Sequence, residues 1–299
     1  MNKYLLGALL ITVAACQPDN SNIERKLDEQ TKYLKAIADN MGKGGMGGPG
    51  AAQARPSRPE PDRSKTYSVP IEGDAFDGPA NAKVTVVKAY DYACPYCEKV
   101  RPTMADLRAK YGNDLRVVYK QLVVHPRNAM ASALAFCAAD KQGKSKDMDR
   151  LLWDKGFKAR NLDNSDVAEA PAAPGQAPAP GGGSKKCWDQ PGGCPIVVGF
   201  AQELKLNVDK FKADMKGDCV KVVQKDMQDL QKLGVAATPG FFINGRFLSG
   251  AQPIDNFTTL VDEELKKANE AISKGTPQDK YYQTVVVEKG LKSLDPSKG

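Results

Sequence analysis

Cys94-Pro95-Tyr96-Cys97 follows a run of strand-forming residues, Val84-Thr85-Val86-Val87, and opens a stretch with helical character over 95–111. A cysteine at a helix N-terminus faces backbone N–H groups that lack an intrahelical partner and the positive end of the helix dipole. Both favour thiolate over thiol. Thiols so placed have pKa values of roughly 3.5–7.5, against about 8.5 for a free cysteine. Cys97, one turn further in, is shielded and close enough to attack a mixed disulfide on Cys94, so the spacing allows thiol–disulfide exchange. A zinc knuckle would need a second ligand pair, but the 299 residues contain no other C-x-x-C and a single histidine, His125. That histidine count also excludes sites built from two or more imidazoles. A purely structural disulfide is the remaining alternative; strained C-x-x-C bridges are the reducible kind, which favours a redox role.

Outward from this motif the chain alternates between strand and helix. A second strand is expected over 115–119, and helices over 129–141, 148–153, 197–206, 208–215 and 220–233. Phe241-Phe242-Ile243 and Arg246-Phe247-Leu248 flank Asn244-Gly245, a hairpin signal because both turn positions require positive φ. A last helix covers 254–273. The order strand, helix, strand, helices, hairpin, helix predicts an α/β sandwich with a helical insertion.

Val235-Ala236-Ala237-Thr238-Pro239-Gly240 precedes the hairpin, and a Thr-Pro before a strand, downstream of C-x-x-C, resembles the cis-proline loop of thioredoxin-fold proteins. The span from about 67 to 273 resembles the DsbA-like branch of the thioredoxin superfamily, whose thioredoxin fold carries an inserted helical domain. The matching stretches are 78–84, Asp91-Tyr92-Ala93, Leu122-Val123-Val124-His125-Pro126 and the block 234–252. The resemblance implies a thiol:disulfide oxidoreductase without metal or other cofactor. Cys94 is then the nucleophile, Cys97 the resolving thiol, Pro95 and Tyr96 the motif's centre, and Thr238-Pro239 the substrate-binding loop. The implied partners are reduced or misoxidised exported proteins and a membrane redox partner. Two departures stand out. The family's usual buried acid, six residues before the first cysteine, is replaced by Lys88, which can manage the Cys97 proton only if burial lowers its pKa. Pro95-Tyr96 replaces the Pro-His of strongly oxidising members, so a milder oxidant is expected. His125 is read as structural rather than catalytic.

Apart from Cys16 and the redox pair, four cysteines remain, which allow three pairings. Cys187 and Cys194 bracket the turn-rich Trp188-Asp189-Gln190-Pro191-Gly192-Gly193, favouring Cys187–Cys194 on loop length and leaving Cys137–Cys219 by elimination. Free buried thiols are the alternative.

Lys3, the apolar run 5–13 and Ala14-Ala15-Cys16 read as a secretory signal over 1–15 followed by a lipidated Cys16, which would anchor the protein in the bacterial cell envelope, facing the periplasm. An ordinary signal with an incidental cysteine is the alternative. Ile23, Leu27, Gln30, Leu34, Ile37 and Met41 form a heptad seam within 16–41, suited either to a homodimeric coiled coil over 21–41 or to a solvated amphipathic helix. Residues 42–65 read as a Gly-, Pro- and Arg-rich flexible linker. The catalytic domain is then expected over 66–275, with its helical insertion over about 125–233, a disordered loop over 155–186 and a tail over 276–299. Of the net charge of +7, residues 42–66 contribute five basic and two acidic side chains, and residues 266–299 seven and four. Positive charge in flanks rather than on a compact face argues against nucleic-acid binding. Oxidation of exported proteins is the first functional expectation. An isomerase or reductase, if the chain dimerises, and a non-catalytic binding lipoprotein are the alternatives.

Overall fold

The computed structural model describes residues 60–167 and 185–294; the signal, Cys16, the heptad segment and most of the linker lie outside the described residues. The described chain begins with β1 (Phe76–Asp77), β2 (Val84–Tyr90), α1 (Pro95–Lys99), α2 (Arg101–Tyr111) and β3 (Leu115–Gln121). Next come α3 (Pro126–Asp140) and α4 (Ser145–Leu151), which runs on into a π-helical turn, Leu152–Phe157. β4 (Asp166–Val167), β5 (Lys185–Lys186), α5 (Pro195–Glu203), α6 (Val208–Lys216) and α7 (Asp218–Lys232) complete the insertion. The chain returns through β6 (Gly240–Ile243), β7 (Arg246–Ser249) and α8 (Ile254–Ser273).

The main sheet has the order β1-β3-β2-β6-β7. β2 runs parallel to β3 and antiparallel to β6, with Val86 opposite both Val117 and Ile243. All seven residues of β2 are buried because helices cover both faces of the sheet. Val84 and Val86 pack with Phe241, Ile243 and Phe257 on one side. Val87 and Ala89 pack with Phe242, Phe247 and Leu230 on the other. A continuous apolar run in a central strand is the expected pattern for such a position. The helical insertion has its own core around Trp153, Phe211, Met148 and Leu134, and Cys94 and Cys97 pack at its edge. This is the α/β thioredoxin-type architecture with a helical insertion that the sequence predicts.

Asn244-Gly245 closes the β6–β7 hairpin with φ of 42° and 83°. A Cβ at Gly245 would lie 2.5 Å from the Tyr67 carbonyl oxygen, so both the turn and the close approach require glycine. The Asn244 side chain accepts the Thr85 N–H at 2.8 Å and donates to the Lys83 carbonyl at 3.1 Å, stitching the hairpin to the start of β2.

Four boundaries differ from expectation. The helix expected over 95–111 breaks at Val100, because Pro102 has no N–H to offer the Glu98 carbonyl. The loop expected to be disordered over 155–186 is structured at both ends. The helix continues to Phe157, the buried Asp163 carboxylate caps the N-terminus of α5 by accepting the N–H groups of Ile196 and Val197, and β4 pairs with β5. Residues 276–294 are part of the domain rather than a tail: the β-type run 281–287 forms a π-helical turn over Tyr282–Val287 that buries Tyr282 and Val286, and Leu291 bridges to Tyr67. At the other end, Asp62 donates its N–H to the Tyr67 hydroxyl at 2.8 Å, so the domain begins before 66. Most of the charge assigned to the C-terminal flank therefore sits on a folded surface.

Candidate active site

The bend that delivers Cys94 is built by Asp91. Its fully buried carboxylate accepts the N–H of Ala93 at 2.6 Å through Oδ1, and through Oδ2 the N–H groups of Val124 at 2.7 Å and His125 at 2.8 Å. Its carbonyl accepts the Cys94 N–H at 3.1 Å. An aspartate bonding two residues onward is a short-range turn device; here it also ties the C-terminal ends of β2 and β3 together. Cys94 takes the N-cap position of α1 in extended geometry, Pro95 follows in the first turn, and the Cys94 carbonyl accepts the Cys97 N–H at 3.1 Å.

Cys94 and Cys97 are both present as free thiols, and both are buried, whereas Tyr96 is 62% exposed. Their electrostatics pull apart. A hydrogen bond from Cys97 lowers the Cys94 pKa from 9.0 to about 5 against the opposing effect of burial, helped by the Thr238 side chain and the backbone N–H groups of Cys97 and Tyr96. Burial pushes the Cys97 thiol far up, and its hydrogen bond to Cys94 pushes it further. One sulfur is therefore a thiolate at neutral pH and its neighbour holds its proton.

Thr238-Pro239 is a cis peptide on the loop facing these sulfurs. In its thiol form the Cys94 Sγ donates to the Thr238 carbonyl at 3.4 Å, and the Pro239 carbonyl takes the Gly250 N–H at 2.9 Å. The hairpin after this loop and the strand before α1 are neighbours in the sheet, which brings residues 94 and 238 together across 144 positions of sequence.

Lys88 lies on β2 beneath the pair, opposite Tyr119 and Phe241 in the ladder, and is 3% exposed. Its Nζ sits 4.4 Å from the Tyr90 ring centroid and 5.3 Å from that of Tyr119. Burial lowers its pKa, while the charges of Asp149 and Cys97 act in the opposite sense. Asp149 is itself held by the Tyr92 hydroxyl at 2.9 Å and the Trp153 indole N–H at 3.1 Å. Lys88, Asp149, Arg101 and Glu98 line a cleft of about 630 Å³ that runs beside α1 and α2. His125 is half-exposed, with Nδ1 3.3 Å from Asp91 Oδ2.

The four remaining described cysteines pair as Cys137–Cys219 and Cys187–Cys194. The first joins α3 to α7, and the second closes a short loop ahead of α5. Sequence reasoning quoted Asp91 only as part of a matching stretch and missed Asp149. Asp91 carries a local signal, its spacing to Ala93, whereas Asp149 reaches the motif through Tyr92, 57 positions away, and its one local partner, Trp153, says nothing of that.

A nucleophilic low-pKa sulfur, a protonated resolving thiol and a facing peptide loop suffice for reversible thiol–disulfide exchange. Residues 71–263 match a family model described as Thioredoxin. Among solved structures, BdbD of Bacillus subtilis in its oxidised form is 20% identical, with 68% of this chain and 98% of that one covered and a TM-score of 0.50. A variant of α-DsbA1 from Wolbachia pipientis is 16% identical, with 68% and 96% covered and a TM-score of 0.50. Both likenesses concern the fold. Among curated relatives, the Na(+)/H(+) antiporter NhaA of Herminiimonas arsenicoxydans is 28% identical over 195 residues, 64% of this chain and 25% of that protein. NhaA 1 of Salinispora arenicola is 28% identical over 201 residues, with the same coverage. The chain spans about a quarter of the length of these curated relatives. Among the described residues, no helix is long and apolar enough to cross a membrane.

Proposed function

This chain belongs to the thioredoxin family, and from that premise we propose that it is a thiol–disulfide oxidoreductase of the bacterial cell envelope that oxidises dithiols of exported proteins. The observation that carries this reading is the divergence of the two cysteines, Cys94 held at a pKa of about 5 and Cys97 far above its ordinary value, opposite the Thr238-Pro239 loop. A stabilised Cys94 thiolate favours the reduced form of the pair and so makes the disulfide an oxidant.

The reaction starts from a Cys94–Cys97 disulfide. A substrate thiolate attacks the Cys94 Sγ, forming a mixed disulfide while the electron pair of the broken bond leaves with Cys97. Cys97 then takes a proton, because its surroundings oppose the thiolate. We assign Lys88 to hold that proton: its charge and that of Cys97 act on each other, and the cleft beside it connects to solvent. A second substrate thiolate attacks its own sulfur in the mixed disulfide, and Cys94 departs as the thiolate that the helix N-terminus favours. The substrate loses two electrons and two protons: one proton goes to solvent, and both electrons and the other proton go to the protein, which ends with Cys97 as the thiol and Cys94 as the thiolate. A membrane redox partner would reoxidise it. Lipidation at Cys16, with residues 16–59 as tether, would hold the domain at the envelope surface facing the periplasm.

Cys97→Ala tests the reading. Exchange by this mechanism predicts mixed disulfides that accumulate on Cys94 and identify the substrates. If none accumulates when the variant, with Cys94 first converted to a mixed disulfide with glutathione that a substrate thiolate can displace, meets reduced exported proteins, the chain is a binding module. A Cys94–Cys97 reduction potential near thioredoxin's, about −270 mV, would assign it to reduction instead.

A further inference from the structure

A second cavity, of about 320 Å³, is lined by Ala93, His125, Asn128, Phe157, Arg160 and Leu162. Ala93 adjoins the nucleophile, and the Asp91 carboxylate clamps the Ala93 and His125 backbones to one another, so the cavity wall is rigidly tied to the reactive sulfur. The opposite wall comes from the π-helical turn. The Lys158 N–H donates to the Trp153 carbonyl at 2.9 Å across five residues, widening the helix at its end and projecting Phe157 and the segment after it toward the cavity. Such turns recur at functional sites. Arg160 follows in left-handed geometry, with φ of 53°.

Three walls are apolar: Ala93, Phe157 and Leu162. The rim is cationic or polar: Arg160, the half-exposed His125 and Asn128. No acidic side chain lines the cavity, and among the described residues the Arg160 guanidinium makes no hydrogen bond or ion pair. An exposed cation without a partner, above apolar walls and beside the nucleophile, matches a side chain with a hydrocarbon stem and a carboxylate end. We propose that this cavity is a substrate subsite that takes an acidic residue, glutamate best, lying within about two positions of the substrate cysteine that reacts with Cys94. The carboxylate pairs with Arg160 while the stem lies on Phe157 and Leu162. The proposal rests on the oxidoreductase reading and adds a preference among its substrates.

The test uses the full-chain oxidised protein and two synthetic dithiol peptides of identical composition and net charge. In one, Glu lies two residues from the first cysteine and Lys is distal; in the other the two are exchanged. The reduction of the Cys94–Cys97 disulfide is timed by acid quench and mass analysis. A partly exposed ion pair predicts a preference of up to about fivefold for the proximal-Glu peptide at low salt, collapsing toward unity at high salt as screening shortens its reach. Arg160→Asn removes the charge while tolerating positive φ, and should reduce the preference below twofold. Equal rates for both peptides at low salt, or an undiminished preference in Arg160→Asn, would overturn the subsite while leaving the oxidoreductase reading intact. If neither peptide reduces the disulfide at all, the oxidoreductase reading itself fails.

Discussion

Lys88 Nζ stands 4.4 Å from the centroid of the Tyr90 ring, on the same face of the same strand, so a buried amine below the reactive cysteines lies over an aromatic face. An aromatic ring stabilises a desolvated cation by only about 2 kcal/mol. Burial accordingly remains the dominant influence on Lys88 and depresses its pKa. The folded state binds this proton less tightly than the unfolded chain does. The resulting cost to stability is full at low pH and disappears as pH rises through the depressed value toward 10.5. Lys88→Met should therefore be more stable than the natural protein at pH 7, by a margin that shrinks toward pH 10; denaturant titrations at several pH values check this. The same variant should slow formation of the mixed disulfide, the step in which Cys97 leaves and takes a proton, about a hundredfold at pH 7, the lower end of what a positioned acid–base group contributes. Unchanged kinetics of mixed-disulfide formation across pH would remove Lys88 from the proton route.

Cys94 makes a second pH-dependent prediction. Its thiol pKa is depressed from 9.0 to about 5, so its stabilising contribution in the reduced protein is complete above 9 and is lost as pH falls through 5. The oxidised protein has no such group. The stability of the reduced form relative to the oxidised should grow by about 2–3 kcal/mol between pH 5 and pH 7. Alkylation of the reduced protein by iodoacetamide should show a midpoint near pH 5. A midpoint above 8 would mean that α1 does not stabilise the thiolate.

Far from the sulfurs, Lys120 is wholly buried between Asp226, at 2.8 Å, and Asp74, at 2.9 Å, with Asp229 at 3.6 Å. One cation cannot neutralise all these carboxylates. Burial and the Asp226 charge raise Asp74 from 3.8 to about 7 against the pull of Lys120. A raised carboxyl contributes stability that is present below 3.8 and is lost as pH rises through 7. The difference in unfolding free energy between the natural protein and Asp74→Asn should fall across that window. Lys120→Met, which leaves buried carboxylates unpaired, should cost about 3–5 kcal/mol. Parallel pH profiles for the natural protein and Asp74→Asn would contradict the assignment.

Local signals account for what the sequence made legible. The helix N-terminus after Val84-Thr85-Val86-Val87 marks Cys94, Asn244-Gly245 marks the hairpin, and Thr238-Pro239 is recognisable only beside them. What escaped depends on contacts across the chain. Lys120 and Asp226 meet over 106 positions, and Asp149 finds Tyr92 over 57. The β-branched run Thr284-Val285-Val286-Val287 has strand propensity but joins no strand of the sheet. Coiled as a helical turn it places Tyr282 and Val286 together on the core around Tyr67 and Phe242, so packing overrides propensity.

The two disulfides allow a final prediction from their positions in the chain. Cys137–Cys219 spans 82 residues and Cys187–Cys194 spans 7. Loop-closure entropy assigns about 4–5 kcal/mol to a closure of the first size and about 2–3 kcal/mol to one of the second. Cys137 lies on α3 and Cys219 at the start of α7, the helix whose Asp226 reaches the buried Lys120. Losing that bridge loosens α7 against the sheet, whereas losing Cys187–Cys194 frees only a surface turn ahead of α5. The double alanine variant at 137 and 219 should therefore melt well below the variant at 187 and 194, and only the former should broaden the unfolding transition. Both should keep the Cys94 alkylation midpoint, because no group that sets that thiol's pKa belongs to either bridge. Equal losses of stability in the two variants would show that the helical insertion is held by its apolar core around Trp153 and Phe211 rather than by the longer closure.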